Sequence, residues 1–421
     1  MTDPIRHHFK ASLADADPEI AAALDAETGR QRQGIELIAS ENLVSRATLD
    51  ALGSPMVNKT VEGYPGKRYY GGAEHADRIE ALAIDRAKQL FGAEYANVQS
   101  HSGSQANLAV FLAFLKPGDT VLSMDLAAGG HLSHGAGPNI SGRWMNPVGY
   151  GVGDDGYLDY EAMARTAAAS QPKMIIAGGS AYPRAIDFAR FREVANAVGA
   201  ILLVDMAHWA GLVAAQVHPD PLPFADVVTA TTYKNLRGVR GGFILSNRSD
   251  LARKLDSAVF PGVQGSVILN AVAAKAVCFK EAMDPSFKTY ARAVLANARA
   301  LAAALVERRI AVLTGGTDTP LVLVDLRPLG LTGAAASDLL ESAHLTANKN
   351  GVPDDPQPPQ VTSGLRFGTS AGTARGFGED EFTQIGHWIA DILLEMADGA
   401  TPDTPAIAAA VHELTDKFPI Y

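Results

Sequence analysis

The chain has 421 residues, 47% hydrophobic and 19% charged, enough to bury a large core without disulfide support. A net charge of −10 and the lack of a dense basic block leave nucleic-acid binding without an electrostatic basis. The one cysteine, Cys278, excludes an intrachain disulfide and any Cys-based metal cluster, and it fits a reducing compartment.

Met1 to Ala16 is largely polar, with Arg6, His7, His8 and Lys10, and lacks the apolar core of a secretory signal. No window reaches about 18 uninterrupted apolar residues, so a cytoplasmic protein with no membrane span is expected. An amphipathic helix is predicted over about 17–36, opening at Asp17-Pro18. Gly63 to Gly72 is dense in turn formers and aromatics and reads as an ordered loop, and helical periodicity returns over 74–91. Short apolar runs then alternate with helical stretches. Thr120–Met124, Met174–Ala177, Ala200–Val204, Val227–Ala230 and Gly242–Leu245 read as buried strands of an α/β sheet covered on both faces. An alanine-rich helix over about 286–308 marks a change of domain near 290. Beyond it come a strand at 321–326, a helix at 333–342, a loop around 346–363 and a helix at 380–397. The order of the tail 398–421 is left open. The expected division is an N-terminal arm and helix (1–50), a large domain (51–290) and a small C-terminal domain (291–421).

Four segments carry chemistry. The strand ending in Asp205 is followed by Met206-Ala207-His208, and ligands of open α/β sheets sit at the carboxyl ends of strands. An acid there can hold a pyridine nitrogen protonated; an aspartate capping the next helix has the same pattern. Lys234 follows the hydroxyl-rich Thr229-Ala-Thr231-Thr-Tyr233 and precedes a glycine-rich turn with Arg237 and Arg240. Cationic neighbours and partial burial make such an amine a Schiff-base nucleophile, whereas a surface lysine in a polar turn is the usual fate of a lone Lys. His101-Ser-Gly103-Ser104-Gln-Ala-Asn107 opens a helix with small residues, suited to a phosphate or to plain N-capping. In Ala127-Ala-Gly-Gly-His131-Leu-Ser-His134, two glycines allow His131 to lie against an aromatic cofactor. A metal on His131 and His134 is the rival, but no third ligand stands at suitable spacing, so no metal site is expected.

Together these features resemble a fold-type I pyridoxal-phosphate enzyme, and more narrowly the serine hydroxymethyltransferase family. The match is carried by Ile35-Glu-Leu-Ile-Ala-Ser-Glu-Asn42, Glu62-Gly-Tyr-Pro-Gly-Lys-Arg-Tyr-Tyr-Gly-Gly72, Val204-Asp-Met-Ala-His208 and Thr362-Ser-Gly-Leu-Arg-Phe-Gly-Thr369, and it runs from about 17 to 397. It implies a large, mostly parallel-sheet domain and a smaller C-terminal α+β domain. Lys234 would be the Schiff-base lysine, Asp205 the partner of the pyridine nitrogen, and His131 the ring-stacking residue. His208 and Ser180 would stand near the phenolic oxygen, Gly103 and Ser104 would cradle the phosphate, and Thr231 would complete the cofactor site. Arg366, helped by Ser40, would clamp the substrate carboxylate. Glu62 would be the acid/base at the departing hydroxymethyl group and Tyr70 a second active-site tyrosine. Both would reach in from a neighbouring subunit, so a homodimer with shared sites, or a tetramer, is implied. Tetrahydrofolate would be the co-substrate, held by Leu126, Gly130, His131, Leu132, Tyr69 and Asn350.

The chain departs from the family pattern at several positions. Thr60 replaces a tyrosine, Tyr233 a histidine, Asn235 a threonine, Ser266 a glycine and Ser370 a proline, and Pro358-Pro-Gln360 differs from the usual folate-side loop. Thr60 and Tyr233 touch the reaction centre. Loss of a ring at 60 leaves room near Cα for a methyl group, worth about 1–3 kcal/mol of discrimination. The expected reaction is therefore that of the 2-methylserine branch: 2-methylserine and tetrahydrofolate giving D-alanine and 5,10-methylenetetrahydrofolate. The alternatives are ordinary serine hydroxymethyl transfer, and a folate-independent aldolase acting on 2-methylserine or 3-hydroxy amino acids. A non-catalytic binding homologue is opposed by the retained Lys234, Asp205, Glu62 and Arg366.

Overall fold

A computed structural model describes residues 9–421 of the chain, so the readings on Arg6, His7 and His8 lie outside the described residues. The central sheet has seven strands: β1 (Tyr95–Asn97), β2 (Thr120–Met124), β3 (Asn146–Tyr150), β4 (Met174–Ala177), β5 (Ile201–Asp205), β6 (Val227–Thr231) and β7 (Gly242–Ser246). They lie in the order β1-β7-β6-β5-β4-β2-β3. The pairs from β3 through β6 are parallel, and β7 runs antiparallel to both β6 and β1. Between β6 and β7 there is no crossover helix, only the turn that carries Lys234, and a turn that short can join only antiparallel neighbours. Every residue of β4, β6 and β7 is buried, as expected for strands covered on both faces.

Local chemistry sets the helix ends. In α1 (Pro18–Gln33) the Asp17 carboxylate accepts from the Ile20 amide, Pro18 takes the first turn, and Gly34 ends the helix in extended backbone. The predicted helical window to 36 overran this end, because Ile35–Glu36 forms a short strand pairing with Leu345–Thr346. None of the α1 residues is buried, although Ile20 and Leu24 are apolar. The segment 63–72 folds as a tight hairpin, Gly63–Tyr64 against Lys67–Arg68, with Pro65-Gly66 at its turn. Gly66 has φ +76°, a conformation that favours glycine. Then follow α2 (Glu74–Phe91), α3 (Gly103–Phe114), α4 (Leu269–Ala282) and the long α5 (Pro285–Glu307), which is capped by Asp284.

A second sheet of four antiparallel strands follows: β8 (Ala311–Val312), β9 (Leu321–Asp325), β10 (Asn348–Asn350) and β11 (Gly364–Gly368), in the order β8-β9-β11-β10. The predicted loop 346–363 thus contains an edge strand whose polar Asn-Lys-Asn gives no apolar alternation. Helices α6 (Gly333–Ser342) and α7 (Glu379–Ala397) share this sheet's core; α8 (Thr404–Lys417) packs on α1 and α6, gives order to the tail and starts on an Asp403 cap. One core draws on residues from Val61 to Leu295. Another joins Ile35 and Leu37 to residues from Leu301 to Val411. Among the described residues no helix is long and apolar enough to cross a membrane.

Candidate active site

Parallel register places the chemistry-bearing segments side by side. Asp205, the last residue of β5, is level with Thr229 in β6, and β6 leads directly to Tyr233 and Lys234. Helix α3 opens beside them, with the Ser102 hydroxyl capping its first turn. A Cβ at Gly103 would come within 2.6 Å of Thr231 Cγ2, so a bare glycine is needed where α3 meets β6.

These ends border a partly open pocket of about 410 Å³, open solvent included. Gly103, Ser104, His131 and Ser180 line it together with Asp205, His208, Thr231, Tyr233 and Lys234. All of these were singled out from the sequence. His134 also lines it, and Asp205 supplies the third member of a His131–His134–Asp205 group whose ligand atoms lie within 4.8 Å of one another. The linear spacing hid that third member, because Asp205 arrives from another strand. The three are tied into a hydrogen-bond network: His134 Nδ1 accepts from the His131 amide, so Nε2 carries the hydrogen and donates to Asp205 Oδ2 at 3.0 Å.

The network extends to a residue that the sequence reading quoted without a role. Asn107 donates to Asp205 Oδ2 at 2.9 Å and to Ser133 Oγ at 3.0 Å, while its carbonyl accepts from Thr229 Oγ1 at 2.6 Å. Ser133 Oγ in turn contacts His131 Nδ1 at 2.7 Å. One buried amide therefore orients both the acid and the ring. Its signal was a polar side chain at the start of a helix that is otherwise apolar.

Electrostatics follow from burial and neighbours. Burial favours the neutral form of Asp205, yet the His134 hydrogen bond and the Lys234 charge hold it below the ordinary carboxylate range. Burial pulls the Lys234 amine down to about 8; Arg366 and Arg240 push the same way and Asp205 opposes. Burial also keeps His131 neutral, at about 4, and holds His208 well below the usual imidazole range. The Tyr233 ring packs under the Arg240 guanidinium at 4.5 Å and lies 5.9 Å from Lys234 Nζ. Arg366 is held by the Ser180 carbonyl at 2.7 Å and by Asn348 Oδ1 at 3.2 Å.

Other predicted residues lie outside this space. Ser40 lines a neighbouring cavity, shared with Tyr233 and Arg240. Thr60, Tyr69 and Tyr70 are exposed, Tyr69 by 75%, with its ring near Phe260. Glu62 sits at the base of the hairpin, its carbonyl accepting from the Tyr69 amide. Leu126 and Leu132 are more than half exposed, Gly130 is buried, and Asn350 turns its amide to the Gly351 carbonyl.

Residues 13–389 match the family model described as serine hydroxymethyltransferase. The chain is 58% identical to a protein named serine hydroxymethyltransferase from Acidiphilium cryptum, over 99% of this chain and 98% of that one. It is 57% identical to serine hydroxymethyltransferase 2 of Rhodospirillum rubrum, over 98% of this chain and 97% of the relative. A protein named serine hydroxymethyltransferase from Hyphomonas neptunium is 58% identical over 98% of this chain and 95% of its own. The family has the fold-type I architecture and uses pyridoxal phosphate, with tetrahydrofolate as co-substrate. The pocket fits that cofactor on its own terms. The Ser180 hydroxyl is buried without a hydrogen-bond partner, a buried acid faces a buried amine, and the positive end of α3 suits a phosphate.

Proposed function

Since the chain belongs to the serine hydroxymethyltransferase family and is thereby a pyridoxal-phosphate-dependent one-carbon transferase, we propose that it moves the hydroxymethyl group of L-serine to tetrahydrofolate, giving glycine and 5,10-methylenetetrahydrofolate. The observation that carries the choice of amino acid is the 56–58% identity, over nearly full length, to relatives whose names specify serine.

When bound, the cofactor supplies an electron sink for the bond broken at Cα. Lys234 offers a partly neutral amine near physiological pH, because burial and two arginines disfavour its charge. Asp205, held ionised, would keep a proton on the pyridine nitrogen. Neutral His131 would hold the ring, His208 and Ser180 would serve its phenolic oxygen, and Gly103, Ser104 and Thr231 would hold the phosphate. Arg366, its plane fixed by Ser180 and Asn348, pairs with the substrate carboxylate with help from Ser40. Glu62 handles the proton of the departing hydroxymethyl group, with Tyr70 beside it. Leu126, Gly130, His131, Leu132, Tyr69 and Asn350 hold the folate.

Glu62 and Tyr70 act from a neighbouring copy in this reading, so the active form is at least a homodimer. The exposed apolar residues Ile20, Leu24 and Val57 support a subunit contact. The division between large and small domains falls within α5, where one core gives way to the other. A cytoplasmic location goes with the single, buried Cys278.

A second reading rests on Thr60 and Tyr233: transfer from 2-methylserine, giving D-alanine. Tyr233 lines the pocket beside Lys234, and Thr60 brings no ring to the hairpin that carries Glu62. Initial rates with L-serine and 2-methyl-L-serine, each with and without tetrahydrofolate, decide the matter. Faster turnover of L-serine with folate is expected. Faster turnover of 2-methyl-L-serine selects the second reading, and a rate unchanged without folate overturns both in favour of an aldolase.

A further inference from the structure

Lys275, on α4, is fully buried, lies outside the pocket, and has no role in the chemistry above. Its ammonium donates to three backbone carbonyls: Val98 at 2.7 Å, Ser100 at 2.9 Å and Gly242 at 2.9 Å. Three acceptors on one nitrogen use three N–H groups, which only the charged form has. No carboxylate stands among these acceptors; burial pulls the amine down to about 7, while the buried Glu80 carboxylate and the three carbonyls favour its charged form.

The carbonyls belong to two segments that meet at the phosphate end of the pocket. Val98 and Ser100 lie on the stretch from β1 into Ser102, Gly103 and Ser104. Gly242 begins β7, at the end of the turn that carries Lys234. The segments are in direct contact, with the Gly242 amide donating to the Ser100 carbonyl at 3.0 Å. A Cβ at Gly242 would collide with the Ser102 carbonyl and the Gly103 amide, and one at Gly241 would collide with the Lys275 side chain itself. The lysine turn is closed from the other side by Thr232, whose amide donates to the Gly241 carbonyl and whose hydroxyl donates to the Val239 carbonyl. The ammonium thus sits directly behind the joint between phosphate cradle and lysine turn.

We propose that Lys275 is a positioning residue for the phosphate end of the cofactor site, clamping the segments 98–104 and 241–242 so that the amides opening α3 converge on the phosphate. Its buried positive charge adds to the positive end of that helix, in surroundings that screen charge poorly. The inference rests on the cofactor reading of the pocket.

The test uses the full-length protein, stripped of cofactor and titrated with pyridoxal phosphate or with pyridoxal, which lacks only the phosphate. Wild-type protein should bind pyridoxal phosphate far more tightly. Lys275→Met should weaken pyridoxal phosphate by about tenfold or more, with pyridoxal affinity nearly unchanged. Equal weakening of both ligands would reduce Lys275 to general support of the fold, and no weakening of either would remove it from the site altogether. A wild-type protein without preference for the phosphorylated ligand would sink the cofactor reading itself, and the proposal with it. Should the Met variant not accumulate as folded protein, Lys275→Gln, which keeps an amide donor for the carbonyls but no charge, must show the same selective loss or the proposal fails.

Discussion

The pocket at the strand ends and the hairpin at 60–72 are built on opposite terms. In the pocket Asp205 is tied to His134 and Asn107 and His131 to Ser133, and beside it Arg366 is tied to Ser180 and Asn348. The hairpin's scaffold is fixed just as firmly. Arg68 is buried between Asp77 and Glu80 and donates to the Gly63 carbonyl. Its candidate functional side chains are not fixed: Tyr69 and Tyr70 stand exposed, with no place in the pocket. A rigid mount presenting exposed aromatics is what a site shared between copies requires. On the proposed reading, the chain pairs a cofactor half built within one copy with a transfer half that faces outward.

The sharpest way to break this comparison is complementation. Lys234→Ala disables the cofactor half and Glu62→Gln the transfer half, each with an expected rate loss of at least about a hundredfold. Glu62→Gln protein should still bind pyridoxal phosphate, since Glu62 lies outside the pocket. Mixed one to one through co-expression, the two chains should recover about a quarter of wild-type activity, because about half the dimers are mixed and each carries one intact site. Mixtures as inactive as either parent would place Glu62 in its own chain's site.

Within the cofactor half, Asn107→Ala removes the amide that orients both Asp205 and Ser133. The loss of a hydrogen bond to a charged group predicts a fall in kcat of about 10- to 100-fold. A variant with unaltered kcat would mean that His134 alone suffices to hold Asp205.

Asn107 also shows where sequence stopped being informative. The strand ends, Lys234 and Asp205 were legible because a parallel sheet covered by helices writes itself as apolar runs ending in polar residues. Strand β3, Asn-Pro-Val-Gly-Tyr, was not: an edge strand tolerates proline and glycine, and these erase the β signal. The three-residue β1 and the polar β10 are too short to show a period. Long helices with an Asp cap and a following proline, α1 and α5, were found within a few residues of their ends. The third member of the histidine pair, the Asn107 junction and the carbonyl clamp of Lys275 all depend on contacts between segments far apart in the chain. A lysine within the apolar Asn270–Cys278 run was visible, but not what it would meet.

Thr60→Tyr tests the hairpin half at its most informative position. Restoring a ring two residues before Glu62 should cut the rate with 2-methyl-L-serine more than that with L-serine, changing their ratio by about tenfold or more. An unchanged ratio would show that position 60 does not sense the substituent at Cα, and would leave Tyr233 as the side chain to vary.

The smallest effect concerns the charge balance of the pocket. Only the neutral Lys234 amine attacks an aldehyde, and burial pulls that amine down to about 8, helped by Arg366 and Arg240 and opposed by Asp205. The neutral fraction rises as pH approaches this value from below and saturates above it. The rate of cofactor uptake by stripped enzyme should therefore climb by about tenfold per pH unit at lower pH and level off at higher pH. Arg240→Gln removes one positive neighbour and should move the midpoint up by roughly half a unit, slowing uptake at neutral pH about threefold. A midpoint near that of a free lysine in the wild-type protein would mean that the pocket does not desolvate the amine. An unshifted midpoint in the variant would mean that the Arg240 charge is spent on the Tyr233 ring and does not reach Lys234.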